Sequence, residues 1–367
     1  MSPRAAEALP ALIRARIARD GPIAVADYMA LALAHPGHGY YRTRDPLGVA
    51  GDFITAPEIS QAFGELIGLW CAAAWRQADA PTPVALVELG PGRGTLMADA
   101  LRAVRVMPAF REALHVHLVE TSAPLRDRQR RALGAEPVTW HDSLDSVPGG
   151  PMLLIANEFF DALPVHQYVM AAGAWHERLV TLDGEGFRFA VAGRPAESGM
   201  FPEAVRGAPE GAIFERCPAA LRLAGAIAER LAGDGIAALI VDYGPARTAA
   251  GESLQAVRDH GYAEVLTAPG AADLTAHVDF QSLAAAARDR GAATFGPVTQ
   301  RTLLTRLGIG VRARRLADGK DAAHAAAIHA ACERLIDGDG MGTLFKAIAL
   351  THPRLGLPPG FEATDPY

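Results

Sequence analysis

The sequence predicts an α/β fold: a mostly parallel, Rossmann-like sheet, a helical N-terminal segment and an inserted β-hairpin. Three observations predict it. From residue 84 onward, short apolar runs alternate with amphipathic stretches, the pattern of parallel strands joined by crossover helices. The first run, 84–89, turns at once on alternate glycines, Gly90, Gly92 and Gly94, into a helix-favouring stretch. Ahead of the sheet, residues 5–34 carry helical periodicity.

In that N-terminal segment Leu9, Leu12, Ile13 and Ile17 share one face. Gly21-Pro22 breaks the pattern, and a second helix follows over 25–34. Residues 35–41 and 51–60 read as loops from their glycines and prolines, and 60–75 as a helix packing Phe63, Leu66, Ile67 and Trp70. Strands are expected at 84–89, 115–120, 137–140, 151–156 and 236–243, with helices near 94–106, 122–133 and 217–232. Residues 167–191 alternate as a hairpin with Asp183-Gly184 as its turn signal. Residues 245–275 form a long connection of mixed character, and both interruptions read as insertions covering one edge of a site. A helix at 280–290, a strand-like piece at 292–297, Ala-rich helices up to Ile336 and a closing strand at 342–351 complete the chain. The organisation expected is a helical segment, 1–80, packed on a core domain, 81–355, with insertions at 165–215 and 245–275.

Bulk composition narrows the function. The 367 residues are 50% hydrophobic and 21% charged, with a net charge of -6, which suits a soluble globular protein and argues against a broad nucleic-acid footprint. Cys71, Cys217 and Cys332 are far apart with no CxxC pair, so neither a zinc site nor a disulfide framework is expected. No stretch reaches the about 20 apolar residues of a membrane helix. Arg4, Glu7, Arg14, Arg16, Arg19 and Asp20 interrupt any apolar leader, so the expectation is a cytoplasmic protein, and the Ala, Arg and Gly bias suggests a bacterial one.

The glycine spacing selects the ligand. A dinucleotide loop reads Gly-x-Gly-x-x-Gly, but here the third glycine comes one residue early and Thr95 stands at the expected glycine. Glu88 precedes the first glycine by two. An acid followed by Gly-x-Gly-x-Gly suits a nucleoside bearing a cation, S-adenosylmethionine, with Glu88 near its ammonium and the bend receiving its carboxylate end. Glu120, ending the second strand, is placed to accept both ribose hydroxyls, because ligands of open α/β sheets lie beyond the strands' carboxyl ends. Asp142, after the third strand, is a candidate for the adenine amino group, with an Asx turn or helix cap as the alternative. Asp52, in a Gly/Pro loop read as lying over the cofactor, joins this set, while Glu58 in the same loop equally suits a helix start.

The fourth strand runs into Asn157, Glu158 and Asp161, the place for a methyl acceptor, and two carboxylates at a strand end are costly unless paired or facing a ligand. The roles of Asp242, His277 and Asp279 stay open.

The segments GDFITAPEISQAFGELIG (51–68), VELGPGRGTLMADALR (87–102), LVETS (118–122), ANEFFDALPVHQ (156–167), VDYG (241–244) and ADLTAHVDF (272–280) resemble, in matching order, the MidA-type methyltransferases. This is the family of mitochondrial complex I assembly methyltransferases and their bacterial relatives. The resemblance implies a class I methyltransferase fold and S-adenosylmethionine as cofactor. It also implies symmetric dimethylation of a protein arginine, on a respiratory complex I (NADH dehydrogenase) subunit or its bacterial equivalent. Gly90, Gly92, Gly94 and Glu120 match the family's cofactor motifs, and Asn157, Glu158 and Asp161 its acceptor motif. Other readings are a different protein or small-molecule acceptor, or a cofactor-binding assembly factor without catalysis. An apolar hairpin edge at 167–191 suits a homodimer as well as a monomer.

Overall fold

The computed structural model describes residues 3–43 and 54–365, the side chains of 3–7 and 43 aside. By its internal contacts the chain forms two compact units: Met1–Phe53 with Asp161–Leu221 and Arg247–Asp279, and Ile54–Phe160 with Arg222–Ala246 and Phe280–Tyr367.

The second unit holds a seven-stranded sheet: β1 (Val84–Leu89), β2 (Leu114–Val119), β3 (Val138–His141), β4 (Met152–Asn157), β5 (Ala237–Tyr243), β6 (Ala293–Thr299) and β7 (Phe345–Thr351). Their order is β3-β2-β1-β4-β5-β7-β6. β1 to β5 pair in parallel, and β7 runs antiparallel between β5 and β6. The order reverses between β1 and β4, which opens a crevice beyond their carboxyl ends, where such sheets take ligands. β4 and β5 are buried along nearly their whole length, as continuous apolar runs in a doubly covered sheet should be.

Helix Gln61–Gln77 starts on Ser60, whose hydroxyl accepts from Ala62 N at 3.3 Å. Its Phe63, Leu66, Ile67 and Trp70 join Val84, Leu86, Leu96 and Leu153 in one core. The helix lies hard against Thr95–Ala103: a Cβ on Gly64 would fall 2.7 Å from Asp99 Cβ, and one on Gly68 2.7 Å from Ala100 Cα. That packing sets residues 54–80 with the sheet, whereas the sequence reading divided the chain at 80/81.

The first unit is built on helices Pro3–Asp20 and Val25–Ala34 and a five-stranded antiparallel sheet. Its strands are Ile23–Ala24, His166–Ala171, Ala174–Asp183, Gly186–Pro195 and Ile213–Arg216. The inserted hairpin is therefore part of a larger sheet, and its turn is Gly184–Glu185, with Asp183 paired to Gly186. Leu9, Ile13, Tyr28 and Met29 share a core with Val165, Val180 and Leu254. Gln255–Arg258, Gly261–Ala263 and Asp273–Thr275 form a three-stranded sheet inside the connection that the sequence left undefined. Such short strands offer too few alternations to register as a period.

Candidate functional site

β1 delivers the chain to a bend on Gly90, Gly92 and Gly94, with φ of +60°, +52° and +85°. L-side chains rarely adopt that left-handed backbone, and space is short at Gly90 and Gly94. A Cβ on Gly90 would meet Phe159 Cδ2 at 2.6 Å, and one on Gly94 would meet Gln129 Cα at 3.3 Å. Thr95, standing where a dinucleotide loop needs glycine, donates its hydroxyl to Glu58 Oε1. Glu58 Oε2 lies 3.8 Å from Arg93 Nη1, so one carboxylate ties two residues of the bend. The sequence left Glu58 between a helix start and a loop over the cofactor, and its partners become visible only in three dimensions.

Glu88, Glu120 and Asn157 share a face of the sheet. Glu88 pairs in parallel with Leu118 and Ile155, and Glu120 and Asn157 each lie two residues further on. Glu88 is 3% exposed, and burial pushes its pKa up to about 8. Glu120 is also buried and raised above the ordinary carboxylate range, chiefly by desolvation. Its Oε1 accepts Ser122 N at 2.7 Å and its Oε2 accepts Gln129 Nε2 at 3.2 Å, which partly offsets the rise.

Gln129 is the residue that sequence reasoning missed here. It is fully buried, and its Nε2 also donates to Gly92 O at 2.8 Å while its Oε1 accepts Trp140 Nε1 at 2.8 Å. It thereby joins the glycine bend to the end of β2. The available signal was its place between Leu125 and Leu133, four residues either way, in the buried stripe of an otherwise arginine-rich helix.

The carboxyl end of β4 presents Asn157, buried, and then Glu158. Glu158 has φ of +49°, an uncommon conformation for a residue with a side chain. Its Oε1 accepts Ala56 N at 2.9 Å and Asn157 Nδ2 at 3.1 Å, and its own N donates to Val241 O at 2.9 Å.

Asp142 has a side chain 85% exposed and accepts Arg126 Nη2 at 2.7 Å. Asp161 is buried in the first unit, where its carbonyl accepts Ala276 N at 3.0 Å. Nearby, the Tyr41 phenol is held well above its usual range, first by burial and then by Asp273 and Asp161. Asp279 Oδ2 accepts Thr248 Oγ1 at 2.6 Å, and His277 N donates to Ser253 Oγ at 2.8 Å, both within that unit. Asp52 lies outside the described residues. Among the described residues no cluster of His, Cys, Asp or Glu could hold a metal ion, and no helix is long and apolar enough to cross a membrane.

Residues 66–298 match a family model described as "Putative S-adenosyl-L-methionine-dependent methyltransferase". The chain belongs to this family. It is a class I methyltransferase that uses S-adenosylmethionine. The zebrafish (Danio rerio) "Protein arginine methyltransferase NDUFAF7, mitochondrial" is 37% identical to this methyltransferase over 360 residues, covering 91% of this chain and 84% of the relative. The human (Homo sapiens) protein of the same name is 39% identical over 332 residues, 83% and 74% of the two chains. A Burkholderia thailandensis protein crystallised with S-adenosyl-homocysteine superposes on the methyltransferase with a TM-score of 0.86 at 29% identity, covering 99% of this chain and 98% of that one.

The site residues fit that cofactor. Glu88 Oε2 and Asn157 Oδ1 are buried and meet no donor among the described residues. Buried acceptors without donors are costly, and an ammonium and hydroxyls are the groups that satisfy them. A pyrophosphate would instead add negative charge to a bend flanked by Glu88 and Glu120.

Proposed function

We propose that this methyltransferase acts on a guanidinium nitrogen of a protein arginine, with Glu158 as the acceptor-holding residue. The observation that carries the reading is Glu158 itself. It is a carboxylate at the carboxyl tip of β4, held in a left-handed backbone conformation and braced by Ala56 N and Asn157 Nδ2. Strained non-glycine backbone concentrates at functional sites. The names of the zebrafish and human relatives, protein arginine methyltransferases, support the choice of acceptor.

When bound, the cofactor supplies a methyl group already activated on a sulfonium. The protein's contribution is alignment and electrostatics. In this reading Glu88 takes the ammonium, Glu120 the ribose hydroxyls, and the bend of Gly90, Gly92 and Gly94 lets the backbone approach closely. Asp142 toward the adenine amino group and Asp52 over the cofactor complete the proposed set. A guanidinium is charged and delocalised, so a carboxylate against one edge concentrates charge there and leaves the far nitrogen the better nucleophile. Glu158 does this and takes up the proton released by transfer. Asp161 is proposed as a second acid for the guanidinium.

The finer extensions are a respiratory complex I subunit or its bacterial equivalent as acceptor, symmetric dimethylation, a cytoplasmic location and a homodimer. The acceptor and the methylation pattern rest on the family resemblance, the location on the composition of the sequence, and the homodimer on the hairpin edge.

Two variants test the core of the proposal. Glu158→Gln should abolish transfer from labelled S-adenosylmethionine into protein arginine, read by mass spectrometry, and leave S-adenosylhomocysteine affinity unchanged. Glu120→Ala should weaken S-adenosylhomocysteine binding by about 10- to 100-fold, the cost of losing hydrogen bonds to a charged group. Full transfer by Glu158→Gln would remove the acceptor assignment.

A further inference from the structure

Asp242, whose role the sequence left open, is the penultimate residue of β5 and is fully buried. Its Oδ2 accepts two backbone donors, Phe159 N at 3.1 Å and Phe160 N at 2.9 Å. Its Oδ1 accepts Tyr243 N at 2.9 Å. One residue earlier, Val241 pairs with Asn157 and its carbonyl accepts Glu158 N. The β4–β5 ladder therefore ends at Glu158, and the Asp242 side chain continues it where the backbone departs.

We infer that Asp242 is a positioning residue for methyl transfer, fixing the turn that carries Glu158 and so the place where the acceptor is held. A strand end could be finished more cheaply by a neutral side chain, because burying a carboxylate costs several kcal/mol unless it is hydrogen-bonded. An amide or hydroxyl, however, presents a single acceptor oxygen. Only a carboxylate accepts from Phe159 and Phe160 on one side and from Tyr243 on the other. Glu158 sits between two pinned points, Val241 O before it and the paired amides after it. That over-determination is what sustains a left-handed non-glycine residue. Phe159 is fixed by the same pair, and its ring covers Gly90.

The inference rests on the reading of Glu158 as the acceptor-holding residue, and the experiment separates the two. The full chain, Asp242→Asn and Glu158→Gln are compared with tritiated S-adenosylmethionine and protein extract from cells lacking this chain as the acceptor source. Calorimetry with S-adenosylhomocysteine and hydrogen exchange of the backbone amides accompany the kinetics. In Asp242→Asn, kcat should fall by about 100-fold, the consequence of a misplaced acceptor. The KM for S-adenosylmethionine and the affinity for S-adenosylhomocysteine should hold, and the Phe159 and Phe160 amides should exchange faster. A merely structural role would lower cofactor affinity in step with kcat, and that result overturns the inference. Undiminished kcat in Asp242→Asn, with Glu158→Gln inactive, overturns it alone. Undiminished transfer by Glu158→Gln brings down the acceptor reading and this inference with it. Should Asp242→Asn not fold, the unaltered protein decides: unprotected Phe159 and Phe160 amides refute the inference, and protected ones support it.

Discussion

Exchanging Glu88 for glutamine should make the cofactor-free protein progressively more stable than its parent as pH rises. Glu88 is 3% exposed, one of its oxygens meets no donor among the described residues, and burial raises its pKa from 4.5 to about 8. The unfolded chain releases this proton near the lower value and the folded chain near the upper. Between them the folded state holds one proton more, so stability falls as pH rises. The contribution of neutral Glu88 is complete below the unfolded pKa and is lost as pH climbs through about 8. The loss is about 1.4 kcal/mol per pH unit, roughly 5 kcal/mol over the whole window. Glutamine keeps the shape and removes the titration. Urea unfolding of both proteins at about pH 5.5, 6.5 and 7.5 should show the gap between them widening at that rate. The same titration links to the cofactor. Pairing Glu88 with an ammonium releases its proton, so S-adenosylhomocysteine affinity should rise over this window. Methylthioadenosine, which lacks the amino group, should bind with little pH dependence. Parallel stability curves for parent and variant would refute the reasoning, because they would mean that Glu88 is already ionised in the folded protein.

Two further outcomes follow from the same geometry. Gly94→Ala places a Cβ at φ of +85°, 3.3 Å from Gln129 Cα, so it should cost about 1–2 kcal/mol in urea unfolding and weaken S-adenosylhomocysteine binding by calorimetry. Parent-like values in both measurements would show the bend to be relaxed. His117 Nδ1 lies 2.9 Å from His141 Nε2, and burial, then the neighbouring His141, lowers the His117 pKa to about 4. Its neutral form contributes stability that is complete above the unfolded pKa of 6.5 and is lost as pH falls through about 4. His117→Gln should flatten the acid side of the stability curve, and an unchanged slope would place the acid sensitivity in other groups.

Much of the site was legible because its signals are local. The strand period carries Glu88, Glu120 and Asn157 to one face, and three closely spaced glycines announce a bend whatever packs around it. What Gln129, Glu58 and Asp242 touch was not legible. Each acts on a backbone or side-chain group brought near by the fold: Gln129 on Gly92, Glu58 on Thr95, Asp242 on Phe159 and Phe160. Asp142 read as an adenine candidate or a cap from its place after β3, and its pairing with Arg126 depends on where helix Ala123–Leu133 lies.

The sequence by itself determined the alternation of strands and helices, the bend, and which acids stand at the strand tips. Those features depend on side-chain period and glycine stereochemistry within a few residues, which no distant contact is needed to specify. Tertiary structure alone decided that β7 enters between β5 and β6, that residues 54–80 pack with the sheet, and which buried carboxylates find donors. A hydrogen-bond partner is a matter of a few ångströms, and only the packed core brings Asp242 within that range of Phe159.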